Sequence, residues 1–211
     1  MMKKTILILT LIAIFSFSGY AQKKGFDAGI FFGLNGIHIE GDNEVLYNSS
    51  SGTIWGTGGV TAGLTVKRVF AKNFFWTFDL RYIRKGSIYE FTNIQGVQDF
   101  ESIKFDYAEL PVLVGYKAEL EKRYLYLELG AAAAKLINSE KLISDYSYGQ
   151  DISLFDKFND YDYSIVGSLK SSLNKKEKVL IGIRVERSFI SIHETYKLYN
   201  FDYGIDLSYY F

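Results

Sequence analysis

From residue 26 to residue 211 the apolar side chains of this chain recur at every second position, in eight separate segments. No run after residue 21 approaches the roughly 18 consecutive apolar residues that a membrane-crossing helix needs. Period two belongs to strands, whose successive side chains point to opposite faces. A chain built this way folds as sheet, and if it crosses a membrane it must do so with strands closed on themselves, because lipid cannot satisfy an open edge. The composition agrees: one proline, 19 glycines, 17 tyrosines and 17 phenylalanines in 211 residues. Aromatic side chains favour pleated surfaces.

The first segment sets Phe26, Ala28, Ile30, Phe32 and Leu34 against Asp27, Gly29, Phe31, Gly33 and Asn35. Equivalent two-faced segments start near residues 59, 74, 107, 125, 161 and 179. In the last, Phe201, Tyr203, Ile205, Leu207, Tyr209 and Phe211 alternate with Asn200, Asp202, Gly204, Asp206, Ser208 and Tyr210. Short turns are expected at 69–73, 118–122 and 174–177, and long links at 38–57, 87–105, 138–160 and 191–198. Such an alternation of connection lengths predicts an all-β, eight-stranded antiparallel up-and-down transmembrane β-barrel of the smallest size class, with periplasmic termini and extracellular long loops. A soluble secreted barrel would turn its apolar face inward, and the charges at the centres of the opposite faces argue against that.

Residues 1–21 carry Lys3 and Lys4, an apolar run over 6–17 and a small-residue site ending at Ala21. They read as a cleaved signal peptide, leaving 22–211 as one outer membrane β-barrel domain. Without the signal, 22 basic residues remain against 24 acidic ones, since two lysines are lost. A net charge near −2 gives no electrostatic basis for a nucleic-acid partner. There is no cysteine, so disulfide and thiol chemistry are excluded.

The polar face brings Asp79, Arg81, Glu109, Lys117, Glu128, Arg184, Glu186, Asp202 and Asp206 into the lumen, together with Asp27, Lys67, Lys85 and Lys170. Eight strands leave an interior that side chains fill, and buried charges must pair there. A lumen plugged by ion pairs is expected. Pro111 interrupts the fourth strand, and a local bulge that re-aims Glu109 is the favoured reading over a gap in strand pairing. Phe26, Phe74, Trp76, Tyr116, Tyr161, Tyr209 and Phe211 are placed to form two interfacial girdles.

Candidate chemistry is sparse. Ser191 and His193 would share a strand face, with Ser191 as nucleophile and His193 as base of an acyl hydrolase or transferase. An i, i+2 pair arises easily by chance, and no catalytic residue is assigned on it. The acidic segment 138–160 lacks the acid spacing and glycine of a calcium loop, so no metal and no cofactor is expected. Its Tyr146, Tyr148, Phe155 and Phe158 make it the best surface for a partner.

The Ala21-Gln22 junction, the strand over 25–36, Leu80-Arg-Tyr-Ile-Arg-Lys-Gly-Ser87 and above all Tyr107-Ala-Glu-Leu-Pro-Val-Leu-Val-Gly-Tyr116 resemble the porin-family (PorT-like) outer membrane β-barrel domain of Bacteroidota. The resemblance spans essentially the whole of 22–211. It implies a Gram-negative outer membrane location and a family mostly without assigned activity, one member of which is associated with type IX secretion. Asp202, Gly204, Leu207 and Tyr209, extended by Tyr210 and Phe211, resemble the signal read by the barrel-assembly machinery. The expected function is a non-enzymatic outer membrane barrel with a structural, adhesion or secretion/assembly-partner role. Its expected partners are outer membrane lipid, the assembly machinery during biogenesis and an envelope or secretion-system protein met through the extracellular loops. A narrow porin-like channel and a lipid A-modifying enzyme are the alternatives.

Overall fold

The computed structural model describes residues 25–42, 53–55, 57–92, 98–143, 157–173 and 175–211. They form β1 (Phe26–Gly41), β2 (Thr53–Trp55), β3 (Thr57–Val69), β4 (Phe74–Thr92), β5 (Gln98–Glu119), β6 (Tyr124–Ile143), β7 (Tyr161–Ser172), β8 (Val179–Ser188) and β9 (Leu198–Tyr210). Among the described residues there is no helix. Each long strand pairs antiparallel with its neighbours in the order β4-β3-β1-β9-β8-β7-β6-β5, and β5 returns to β4. The sheet is therefore a closed barrel of eight strands. Short β2 adds to β4 over Ile88 to Glu90, beyond the last pairing of β3 at Thr61 with Ile83.

Alternation explains both faces. Phe32, Leu34, Leu129 and Ile205 point outward and are 55%, 62%, 63% and 59% exposed, while Arg81, Glu109 and Glu186 point inward and are 2% exposed or less. A water-soluble protein distributes these residue types the other way round. With apolar groups outside and charges inside, the barrel wall suits hydrocarbon. The start of β1, the end of β9 and three short turns share one end of the barrel, the turn end; the longer connections share the other, the loop end.

Strand lengths differ from the expectation. The links foreseen at 87–105 and 138–160 are partly ladder, because β4 reaches Thr92, β5 starts at Gln98 and β6 reaches Ile143. β6 outruns its partner β7, whose pairing stops at Lys135 with Tyr161, so β4, β5 and β6 project from the loop end as a sheet. The link foreseen at 38–57 likewise contains the end of β1 and all of β2. Past the apolar band the strands no longer need a two-faced pattern, and the alternation that marks them in sequence fades. The signal segment 1–21 and Tyr146, Tyr148 and Phe155 lie outside the described residues.

Pro111 corrects another expectation. β4 and β5 keep one register from Phe78–Val112 to Arg81–Glu109, yet no pairing joins Asp79 and Leu80 to Pro111 and Leu110. The missing N–H of proline leaves a gap without an extra residue. The bulge falls instead between Asp106 and Tyr107, in the pairing of β5 with β6.

Candidate functional site in the barrel lumen

Inward-facing residues fill the barrel in layers. Phe75, Tyr126, Leu180 and Tyr210 form an aromatic floor near the turn end. The Phe75 ring presses on Gly115, where any side chain would collide with it. At the loop end Ile39, Ile83, Ile103, Phe105, Tyr107, Ala134, Ile192 and Leu198 form an apolar cap, against which Phe158 and Tyr196 pack.

Charges occupy the space between. Arg81 on β4 contacts Glu109 on β5 and, at 3.1 Å, Glu186 on β8. Lys85 Nζ lies 3.1 Å from Glu109 and from Asp162 and 2.6 Å from Glu186. Arg184 reaches Glu186 at 3.1 Å, Asp202 at 3.2 Å and Asp206 at 3.3 Å. Nearer the floor, Lys170 pairs with Glu128 at 2.6 Å, and Thr77 and Ser168 donate to the same carboxylate. Neutral donors complete the network: Asn35 to Asp202 at 2.6 Å, Ser164 to Glu186 at 2.8 Å and Asn200 to Asp162 at 2.9 Å. Carboxylates buried this deeply are tolerated only with such pairing and hydrogen bonding.

A cavity of about 10 Å³ lies inside this layer, lined by Asp79, Arg81, Lys170, Arg184 and Asp206 among others. One water fills such a space. Asp79 Oδ1 and Asp206 Oδ1 are buried acceptors without a described hydrogen-bond partner, and both residues line this space.

Of the thirteen charged residues assigned to the lumen from sequence, nine, Arg81, Lys85, Glu109, Glu128, Lys170, Arg184, Glu186, Asp202 and Asp206, take part in the mid-lumen contacts above, and Asp27 and Lys67 pair near the turn end. Asp79 lines the small cavity instead, and Lys117 sits at the turn-end mouth. Sequence reasoning left out Asp162, although its alternation with Tyr161 and Tyr163 already placed it inside. Its neighbours Lys85 and Asn200 lie 77 and 38 residues away in sequence, and only the closed sheet brings them together. In the closing strand Asp202 faces inward, whereas Leu207 and Tyr209 face outward. Tyr209 and Phe211 stack edge to face, with centroids 5.8 Å apart.

The apolar band ends in aromatics at both rims. Phe70, Phe74, Trp76 and Tyr116 form a chain of ring contacts at the turn end, with centroids 5.2 to 6.3 Å apart. Phe201 and Tyr203 do the same at the loop end. Loopward of the band, Arg84 grips Asp106 through Nε at 2.7 Å, while Tyr82 and Asn138 donate to the same carboxylate. The hydrogen bonds from Arg84, then those from Tyr82 and Asn138, outweigh desolvation and hold Asp106 down to about 2.

Ser191 and His193 are side by side in the 189–197 connection, but their described hydrogen bonds run to backbone. Ser191 Oγ donates to Tyr196 O at 2.6 Å and accepts from the amides of His193 and Leu198. His193 Nδ1 accepts from the amides of Thr195 and Tyr196, which places the neutral ring proton on Nε2. The ring is buried against Phe158 and Tyr196. This arrangement builds a turn over the apolar cap. Among the described residues no group of three or more His, Cys, Asp or Glu side chains is arranged to hold a metal ion.

A family model described as outer membrane protein beta-barrel domain matches residues 20–194. No curated protein matches the sequence. Among solved structures, Ail, the attachment invasion locus protein of Yersinia pestis, is 14% identical, with a TM-score of 0.46 over 88% of this chain and 98% of its own. OprG of Pseudomonas aeruginosa is also 14% identical, with a TM-score of 0.45 over 89% and 98%. Neisserial surface protein A is 10% identical, with a TM-score of 0.44 over 89% and 97%. Closure of the barrel is set by the strand ladders of the chain itself.

Proposed function

This chain belongs to the outer membrane protein β-barrel domain family, and on that premise we propose a non-enzymatic outer membrane barrel with a structural, adhesion or secretion/assembly-partner role. Its turn end and termini face the periplasm, and its loop end faces outward. The PorT-like resemblance to Bacteroidota proteins favours a partner in the envelope or in a secretion system.

One observation carries this reading. The cross-section of the lumen is occupied by the Arg81, Lys85 and Arg184 network between an apolar cap and an aromatic floor, so solute has no continuous polar path. Function then falls to the outside of the barrel, where the β4–β5–β6 projection extends beyond the lipid-facing band.

The test pairs two measurements on the full-length protein. Purified barrels in planar bilayers stay silent, and a pull-down from gently solubilised outer membranes recovers an envelope protein that is lost when the projection is shortened. Stepwise conductance would replace this reading with a narrow channel. A change in lipid A mass on overexpression, abolished by Ser191→Ala, would replace it with an enzyme.

A further inference from the structure

A second cavity, of about 320 Å³, opens at the turn end beneath the aromatic floor. Its volume falls in the range of small-molecule sites. Asp27, Lys67, Lys72, Lys117, Lys176, Glu177 and Lys178 supply the charged side chains of its lining, five ammonium groups and two carboxylates, and Phe211 also lines it. Phe75, Tyr126 and Tyr210 wall it off from the charge network above. The chamber is therefore a dead-end vestibule with a cationic rim and an aromatic base.

Two of the lysines are committed internally. Lys67 lies 3.5 Å from Asp27 and sits over the rings of Tyr126 and Tyr210, 4.9 and 4.6 Å from their centroids. Lys117 holds the Glu177 carboxylate at 3.0 and 3.2 Å. Lys72 and Lys178 are exposed and have no described ion pair.

Glu177 shows what the vestibule selects. It stands in the turn between β7 and β8 with φ of 56°, the only non-glycine residue in the left-handed region among those described. A non-glycine residue there is uncommon, and such outliers gather at functional sites. From this position its carboxylate reaches across to Lys117 on β5 and accepts the Tyr126 hydroxyl on β6. The protein thus places one of its own anions in an anion receptor.

We propose that the turn-end vestibule binds a small phosphoryl-bearing anion, a phosphate or pyrophosphate ester, for which the Glu177 carboxylate is an internal stand-in that the ligand displaces from Lys117. Lysine ammonium groups on flexible stems act as point charges that can approach a tetrahedral, multiply charged group from several sides. The aromatic base offers a surface for the rest of the ester. Because the lining faces the lumen and not the lipid, the vestibule is open to a soluble ligand. The site stands apart from any partner bound at the loop end, so failure of either leaves the other intact.

Inorganic pyrophosphate titrated into the full-length barrel in zwitterionic micelles tests this by calorimetry and by amide chemical shifts at the turn end. Saturable one-to-one binding is expected, weakened at least tenfold in a Lys72→Gln/Lys178→Gln variant and by 1 M salt. Glu177→Gln is expected to tighten binding severalfold, because the internal competitor is gone. Heat-modifiable gel migration confirms that each variant is folded. Absence of saturation, or binding indifferent to the double lysine variant, or binding weakened by Glu177→Gln in a folded barrel would each overturn the proposal. Nanodisc arms separate two sources of the phosphoryl group. Equal pyrophosphate affinity in phosphatidylcholine and phosphatidylglycerol discs supports a soluble ligand, and competition confined to phosphatidylglycerol assigns the same site to a lipid headgroup.

Discussion

Lys85 Nζ lies 2.6 Å from Glu186 Oε1 inside the barrel, two residues 101 positions apart in the chain. Glu186 also faces Arg81 and Arg184, so this one carboxylate joins three cations that come from β4 and β8. Glu186→Ala removes the one contact that all three cations share, although Glu109, Asp162, Asp202 and Asp206 still face them, and removing one partner of such a buried pair costs about 3–5 kcal/mol. A double-mutant cycle with Lys85→Met is expected to recover part of that loss, read as urea midpoints of the barrel refolded into vesicles. Strict additivity of the two changes would contradict a direct coupling.

Gly115 and Phe75 form the tightest point of the aromatic floor. A Cβ at Gly115 would meet the Phe75 ring, which Tyr126 also contacts edge to face at 5.7 Å between centroids. Overpacking of this kind costs about 1–3 kcal/mol. Gly115→Val is expected to lower the thermal transition of the folded gel species, and adding Phe75→Leu to restore most of it. If Phe75→Leu makes Gly115→Val worse, the ring is not what the new side chain meets.

The wall was far more legible in the sequence than its contents. Facing lipid imposes one strict rule, apolar at every second residue, so Ile30, Leu80, Val112, Leu129 and Ile205 declared their face directly. Loopward of the band that rule lapses, and the ends of β4, β5 and β6 passed for loop. Inside, alternation gives only the face, since partners such as Arg81 and Glu186 meet across the barrel at a separation set by closure and stagger. The apolar cap was hidden for a similar reason: Ile39, Ile103 and Phe105 stand on the inner face of extended strand ends, in segments that the sequence assigned to long links. Glu177 carries no local signal, because its role depends on a turn reaching over two neighbouring strands.

Ser191 is a turn staple in this structure, and its loss has a local signature. With its hydroxyl gone, the amide of His193 loses its acceptor, while the Leu198 amide loses one of its two acceptors and the Tyr196 carbonyl one of its two donors, keeping only their bond to each other. Ser191→Ala is expected to cost about 1–2 kcal/mol. Hydrogen exchange at the His193 and Leu198 amides should quicken while exchange in β7 and β8 stays unchanged. Protection unaltered at both amides would refute the staple.

Asp106 provides a pH-dependent contribution from the outer face, beyond the apolar band. Arg84, Tyr82 and Asn138 favour its charged form and bring it to about 2, below the value near 3.9 of an unfolded aspartate. A carboxyl depressed by folding stabilises the folded state fully above its unfolded pKa. That contribution fades as pH falls through the interval from about 4 to about 2, and it is absent below both values. Asp106→Asn removes the charge but keeps the shape, so the stability gap between the native chain and the variant should be largest at pH 5 and narrow toward pH 2. Urea unfolding of both proteins at pH 5, 4, 3 and 2 checks this, and a gap that stays constant across the series would show that Asp106 acts through packing alone.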